Sequence, residues 1–295
     1  MAKRTKDEKA SNTAGYTCFS RACATREKDK RFRGPDHMAE TFLPAFAKVI
    51  LNVPVLRKAF MSKVAPSGIY EYVIARTKLF DEIFLEGLAK RVYQIVILGA
   101  GMDTRAIRFM SKNQGTRIIE LDIAKTQQPK IEILNRKQVE LPKELVFASI
   151  DFNRQSLSDV LMNAGYQKDQ QSLFLWEGVT MYLNSDAVDG TLTFIRESSQ
   201  KGSRVAFDYI FKSVLRQENK YYGEREIFDR VSRAGEGWTF GIEEGGIGKF
   251  LTERGFRLMS HYTPSELEER YFSVDNGSVL RRINGTHCIV QAEVD

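Results

Sequence analysis

The stretch that most constrains this chain is residues 92–105, VYQIVILGAGMDTR. Its apolar run Ile95-Val96-Ile97-Leu98 stops at Gly99-Ala100-Gly101, and a helix-like segment follows at once. β-Branched and leucine residues closed by a glycine turn read as a buried parallel strand feeding a helix. Glycines at 99 and 101 permit a tight turn and let a ligand touch main chain, where a Cβ would stand in the way. The alternation repeats downstream. Strands are predicted at 116–122, 145–150, 172–176 and 204–209, with helical patterns at about 125–139, 155–164 and 186–200 between them. Further strands are predicted at 256–260 and 286–292, a hairpin-like finish that makes the sheet mixed. Strands and helices of this spacing make a doubly wound, Rossmann-like α/β sheet of seven strands.

Upstream of the turn, residues 66–90 read as a long amphipathic helix, with Ile69, Tyr72, Val73, Leu79, Phe80, Ile83, Phe84 and Leu88 at three-four spacing. Arg76 lies on that apolar stripe. An arginine there either snorkels to the surface or clamps a carboxylate. Residues 1 to about 12 are expected to be disordered, one helix is expected within 11–32, a helix over 39–50 despite Pro44, and a new helix start at Pro54. The chain therefore divides into a tail and N-terminal helical cap, 1–90, and a core, 91–295. A helical insertion is predicted at about 211–248, ending in a loop at 235–248 that carries six glycines around Trp238.

Ligands of such sheets bind outside the carboxyl ends of the strands. Those ends supply Gly99, Ala100, Gly101 and Asp103, then Glu120 and Asp122, then Asp151, then Glu177. A dinucleotide loop continues G-x-G-x-x-G and seats a pyrophosphate on the next helix. Here the third glycine position is Thr104 and Asp103 precedes it. Asp103 either caps the helix or faces a cationic ligand; in neither case does it suit a pyrophosphate. Asp122 lies 21 residues after Gly101, where a carboxylate can accept from both hydroxyls of a ribose. Glu120 and Asp122 alternate with Leu121, so either could reach. A rim this acidic suits S-adenosylmethionine, which has a sulfonium, an ammonium and a diol but no phosphate.

Composition narrows the setting. A formal net charge of +6 over 295 residues is mild. The basic stretch 21–33 holds Arg21, Arg26, Lys28, Lys30, Arg31 and Arg33 against Glu27 and Asp29 and reads as a solvated face. No RRM, KH or zinc-finger signature accompanies it, so nucleic acid is not an expected partner. The apolar runs are far shorter than a membrane span. The charged start MAKRTKDEK has no apolar stretch behind it, so no secretory signal is expected. Cys18, Cys23 and Cys288 form no C-x-x-C, and His37, His261 and His287 show no ligand spacing, so neither disulfides nor a metal site are expected and the cytoplasm is the expected compartment.

Taken together, LGAGMDTRAIRF (98–109), ELD (120–122), DF (151–152) and LWEGVTMYL (175–183) resemble, in order and spacing, the leucine carboxyl methyltransferase-like family of S-adenosylmethionine-dependent O-methyltransferases. The resemblance extends to Arg21-Ala22, to 36–39, to GEGWTFGI and to ERGF (253–256), and so covers most of residues 20–270. It implies that the loop at Gly99 approaches the methionine part of the cofactor, that Asp122 holds the ribose and that Asp151 meets the adenine. Phe152 would pack on that adenine where many members carry leucine. It also implies that Arg76 grips the cofactor carboxylate and that Glu177 faces its ammonium.

The function so implied is methyl transfer from S-adenosylmethionine to an oxygen. A carboxylate acceptor needs no general base, whereas an alcohol or phenol does. No histidine falls in the rim motifs, which favours a carboxylate or an acidic hydroxyl, on a small molecule or a protein. Tyr182, Tyr209 and Trp238 are the acceptor-side candidates. Two other readings remain: an NAD-dependent dehydrogenase, disfavoured by Asp103 and Thr104, and a regulatory protein that binds S-adenosylmethionine without turnover.

Overall fold

A computed structural model of the chain describes residues 12–150, 155–235, 237–274 and 277–295, with side chains except at 12 and 62–64. The expected disordered tail, and the site candidates Asp151 and Phe152, lie outside the described residues. Strands β1 (Gln94–Leu98), β2 (Arg117–Asp122), β3 (Leu145–Ser149), β4 (Ser172–Trp176), β5 (Arg204–Ile210), β6 (Phe256–Tyr262) and β7 (His287–Val294) form one sheet. Their order is β3-β2-β1-β4-β5-β7-β6. The first five pair in parallel. β7 runs antiparallel between β5 and β6, which makes the sheet mixed as expected. This insertion also brings the start of β7 to the rim where the parallel strands end, with His287 opposite Ile210.

The two-residue period of the strands sorts their side chains into two layers. Val96, Leu98, Ile119, Phe174, Trp176, Val205 and Phe207 face one layer, covered by α7 (Leu157–Asn163), α8 (Ser185–Ser198) and α11 (Ile247–Thr252). Ile95, Ile97, Ile118, Leu173, Leu175 and Ala206 face the other, covered by α4 (Ile69–Ala89) and α12 (Pro264–Phe272). Helix α12 starts in a capping box at Thr263 and Glu266, with Pro264 at its first position. It falls in a region where no element was expected.

At the N-terminal end, α1 (Asn12–Ala24) and α2 (Ala45–Asn52) build a third cluster with Ile107 and with Leu134 of α6 (Ala124–Arg136). The expected helix over 39–50 is broken at Pro44, whose extended backbone (ψ 161°) separates a single 3-10 turn from α2. Pro54 opens α3 (Pro54–Val64) as expected. The predicted insertion consists of the one-turn α9 (Lys212–Leu215), α10 (Glu224–Arg233) and the glycine-rich segment beyond. Among the described residues no helix is long and apolar enough to cross a membrane.

Helix α4 carries Arg76 and is anchored at its first turn by a backbone fit that only glycine allows. Gly68 has φ +74°, and a Cβ there would stand 2.3 Å from the backbone nitrogen of Asn284. That nitrogen donates to the Gly68 carbonyl at 3.0 Å, fixing the loop that leads into β7. Gly68→Ala should therefore lower stability by about 3 kcal/mol, left-handed strain and backbone overlap together. Urea unfolding of the variant beside the parent chain measures it; a change below about 0.5 kcal/mol would show that the loop relaxes freely.

Candidate functional site

The glycine turn after β1 forms the floor of the rim. Gly99 and Gly101 both adopt positive φ, at 67° and 51°. Their reasons differ. A Cβ on Gly99 would stand 2.4 Å from the Val179 side chain, so packing within the protein requires that glycine. A Cβ on Gly101 would point toward Ala14 of α1 at 3.6 Å, an ordinary contact, and only its φ excludes other residues. The Gly101 N–H donates to Asp122 Oδ2 at 2.5 Å, and the Ile123 N–H to Asp122 Oδ1 at 2.7 Å. The acid ending β2 is thus tied to the turn ending β1. Burial raises the Asp122 carboxyl above its usual range despite these donors, and no cation pairs with it among the described residues.

The other expected acids are differently placed. Glu120 shares a face with Asp122 but lies deeper, 1% exposed and ion-paired to Lys130 of α6. Burial outweighs Lys130 and pushes its carboxyl up to about 7. Glu120 braces α6 against β2 and is not presented to the rim, which corrects the expectation that either residue could reach a ligand. Asp103 does not cap the helix as expected. Thr104 precedes α5 (Arg105–Arg108), while Asp103 accepts from the Arg105 backbone N–H at 2.7 Å and pairs with the Arg105 guanidinium. It is buried as the partner of an internal arginine, not turned toward a cationic ligand. Burial pushes its carboxyl up, but Arg105, Lys130, Arg21 and the Arg105 backbone N–H together outweigh burial and hold it down at about 2.

Arg76 does not snorkel. It projects from α4 to the rim, where Nε lies 2.9 Å from Glu177 Oε1 and one terminal nitrogen donates to Asp208 Oδ2 at 2.9 Å. Glu177, just past β4, is shared: its Oε2 lies 2.8 Å from Arg105. Burial acts to raise the Glu177 carboxyl, but Arg105 and Arg76 hold it below its usual range. From Arg105 the pairing continues to Asp81 of α4 at 2.8 Å, then to Arg108 at 2.7 Å. Arg108 lies 3.4 Å from Asp36, and Asp36 lies 3.4 Å from Arg21 of α1, which also donates to the Met102 carbonyl at 2.7 Å. One chain of buried charges thus runs under the whole rim. Asp81 and Asp208 carry no motif signal, whereas Arg21, Asp36, Arg105, Arg108 and Glu177 lie inside quoted motifs.

The acceptor-side candidates separate. Tyr209 is fully buried in the core and shares a 3.0 Å hydrogen bond with His261 Nε2, so it lines no rim. Tyr182 is half-buried, its hydroxyl 3.5 Å from Thr13 Oγ1 at the start of α1. Trp238 is held at the rim because the Thr239 and Phe240 backbone N–H groups donate to the Met181 carbonyl at 2.7 and 3.3 Å. In the basic stretch, Arg21 belongs to the charge chain, while Arg26 pairs with Glu40 and Arg31 with Asp29.

The profile of the leucine carboxyl methyltransferase family matches residues 14–196. A Streptomyces coelicolor protein, provisionally named an S-adenosyl-L-methionine-dependent methyltransferase, is 29% identical over 195 residues, 66% of this chain and 67% of its own length. A Streptomyces avermitilis protein with the same provisional name is 32% identical over 143 residues, 48% of this chain and 50% of its own. A third, from Bacillus subtilis, is 24% identical over 218 residues, 73% and 71% respectively. The chain thus spans between 50% and 71% of the lengths of these relatives.

The charge chain makes stability depend on acid in a defined direction. The folded-state carboxyl of Asp103 lies near 2, below its value of about 3.9 in an unfolded chain. Its contribution is therefore complete above about pH 4 and is lost as pH falls toward 2. Asp103→Asn should cost roughly 3 kcal/mol at pH 6, because Arg105 loses a buried partner. By pH 3 the difference between parent and variant should shrink by about half. Urea unfolding at both pH values tests this, and a gap independent of pH would show that the Asp103 charge is not used.

Proposed function

The chain belongs to the leucine carboxyl methyltransferase family of S-adenosylmethionine-dependent methyltransferases, and from that premise we propose that it transfers the methyl group to an oxygen, of a carboxylate or an acidic hydroxyl. The observation that carries the reading is the tie between the glycine turn and Asp122, with the Arg76–Glu177 pair at the next strand end. The residues present suit the cofactor. Asp122 is a carboxylate held by two backbone N–H groups and without an ion-pair partner among the described residues, which leaves lone pairs for the two hydroxyls of a ribose. Arg76 and Glu177 supply one charge of each sign for an amino-acid carboxylate and ammonium. Asp103 and Thr104, where a dinucleotide loop needs room for phosphate, speak against the dehydrogenase reading.

When bound, the cofactor supplies an activated methyl group on sulfur. The protein's part is to hold the acceptor oxygen about 3–3.5 Å from that carbon and in line with the leaving sulfur. α1 covers the rim from above: Ala14 lies over Gly101 and Thr13 over Tyr182. That cover would exclude water, which would otherwise compete for position. A carboxylate would arrive already ionised and would need only orientation. The three cysteines are buried and unpaired, which supports a reducing compartment such as the cytoplasm.

Two substitutions test the cofactor assignment by calorimetric titration. Asp122→Ala should weaken S-adenosylmethionine by about 1.5–3 kcal/mol, the scale of hydrogen bonds to a charged group. Arg76→Lys should already weaken it, because lysine cannot reproduce a bidentate fork. A decarboxylated cofactor analogue is the control for Arg76, whose removal also disturbs Glu177 and Asp208. It should bind parent and variant almost equally. Equal losses for both ligands would mean that Arg76 only braces the rim.

A further inference from the structure

Two side chains at the rim take no part in the charge chain or in the proposed cofactor contacts. Because β7 is antiparallel, its first residue, His287, lies where β5 ends. His287 is 5% exposed and packs against Tyr72, with ring centroids 4.6 Å apart and planes tilted by 32°. Tyr72 donates its hydroxyl to Asp208 at 2.9 Å, the same carboxylate that Arg76 grips. On its other side His287 meets Trp238, ring centroids 5.3 Å apart and planes at 84°. Trp238 is 9% exposed, yet its Nε1–H is buried with no hydrogen-bond partner. A buried indole N–H without an acceptor is uncommon. Trp238 is fixed in place by its neighbours' bonds to Met181, and the Thr239 hydroxyl adds a bond to the Leu183 carbonyl at 2.7 Å.

The hydrogen bonds around His287 also determine which ring nitrogen carries its proton. Asn284 is oriented by two backbone groups: its Nδ2 donates to the Ser67 carbonyl at 2.9 Å and its Oδ1 accepts from the Thr286 N–H at 3.2 Å. The Thr286 hydroxyl donates its one hydrogen to that Oδ1 at 2.6 Å. The 2.7 Å contact between Thr286 Oγ1 and His287 Nδ1 must then have the imidazole as donor. Nε2 is left as a bare lone pair, with no partner among the described residues. Burial, and after it the positive charge of Arg76, hold His287 down at about 3, so the ring stays neutral at ordinary pH. Asp208, which Tyr72 joins to this cluster, is occupied by Arg76, Tyr72 and the Gly178 N–H.

We infer that Trp238 and His287 form the acceptor subsite and that it takes a neutral hydroxyl, with the Trp238 N–H donating to the hydroxyl oxygen and the hydroxyl O–H donating to His287 Nε2. This rests on the methyl-transfer reading above and narrows it. One donor beside one acceptor matches a group that is itself both. A carboxylate has no proton to give Nε2 and would bring a second lone pair against it, at the cost of its own desolvation. In the reaction the hydroxyl oxygen bonds to the methyl carbon while the carbon–sulfur bond breaks, and the bonding pair leaves on sulfur. The oxygen becomes strongly acidic as it gains carbon. Its proton therefore passes to Nε2, weak base though that is, and from there to water.

The test uses the full chain, labelled with nitrogen-15 in histidine and tryptophan and saturated with S-adenosylhomocysteine. Phenol and benzoate are the two probes. His287 should show a protonated Nδ1 and an unprotonated Nε2 from pH 5 to pH 8. Phenol should shift the Trp238 indole N–H and the His287 Nε2 resonances, and benzoate should shift neither. Trp238→Phe and His287→Phe should each weaken phenol roughly ten-fold, the scale of one lost hydrogen bond, without changing S-adenosylhomocysteine affinity. A protonated Nε2, an equal response to benzoate, or no response to phenol in the saturated protein overturns the inference and leaves the methyltransferase reading intact. Failure of S-adenosylhomocysteine to bind overturns both.

Discussion

The structure depends on a chain of buried charges that runs Asp208–Arg76–Glu177–Arg105–Asp81–Arg108–Asp36–Arg21 beneath the carboxyl rim of the sheet. Removing one member of a buried pair costs several kcal/mol, because its partner keeps a charge that water no longer solvates. Each link therefore constrains the elements on either side of it. Arg76 and Asp81 fix the rotation of α4; Arg105 and Arg108 fix the short helix after the glycine turn; Arg21 and Asp36 fasten the N-terminal segment onto that short helix. Arg105 is the hub, 1% exposed and shared among Asp81, Asp103 and Glu177. Hydrophobic packing would tolerate small slips of a helix over a sheet. A relay of ion pairs does not, and it places the rim residues within hydrogen-bond tolerance of one another.

The same chain changes the electrostatic argument made from the sequence. Read along the strands, the rim appeared as a row of carboxylates waiting for a cation. In the structure Asp103, Glu120 and Glu177 are each neutralised from within, by Arg105, Lys130 and the Arg76–Arg105 pair. What remains available is a matched pair of opposite charges and one uncompensated acid, Asp122. A zwitterion fits between Arg76 and Glu177 without altering the net charge of the site, whereas a simple cation would strand the arginine. Under the proposed function, that favours an amino-acid moiety over any other charged group of similar size.

Much of the fold was legible because local periods settle it. The run at 95–98, buried on both faces, the three-four stripe of α4 and the glycine turn each follow from the polarity of adjacent residues. Proline placement marked the start of α3 correctly and was underestimated at Pro44. The site was legible only in part, because pairing partners lie far apart in sequence. Asp81 and Arg105, or Arg76 and Asp208, are separated by 24 and 132 positions and share no motif. Tyr209 and Trp238 looked alike as rim aromatics. Alternation along β5 turns Tyr209 into the core, and only the loop bonds to Met181 bring Trp238 to the rim.

His287 shows why strand direction matters more than motif position. Counted along the chain it sits at the start of the last strand, which in a wholly parallel sheet would be the end remote from the ligand. Insertion of β7 antiparallel between β5 and β6 reverses that, so its first residue reaches the same rim as Glu177 and Asp208. No histidine falls in the rim motifs, and the topology brings one to the rim from outside them. Sequence shows a Thr-His pair beside an asparagine; only the fold shows that Ser67 and Thr286 orient that asparagine, which in turn fixes the threonine and the imidazole proton. A chemical property of the rim, whether it offers an acceptor or a second donor, is thus decided by a turn that anchors Gly68, the residue before α4, on the far side of the same loop.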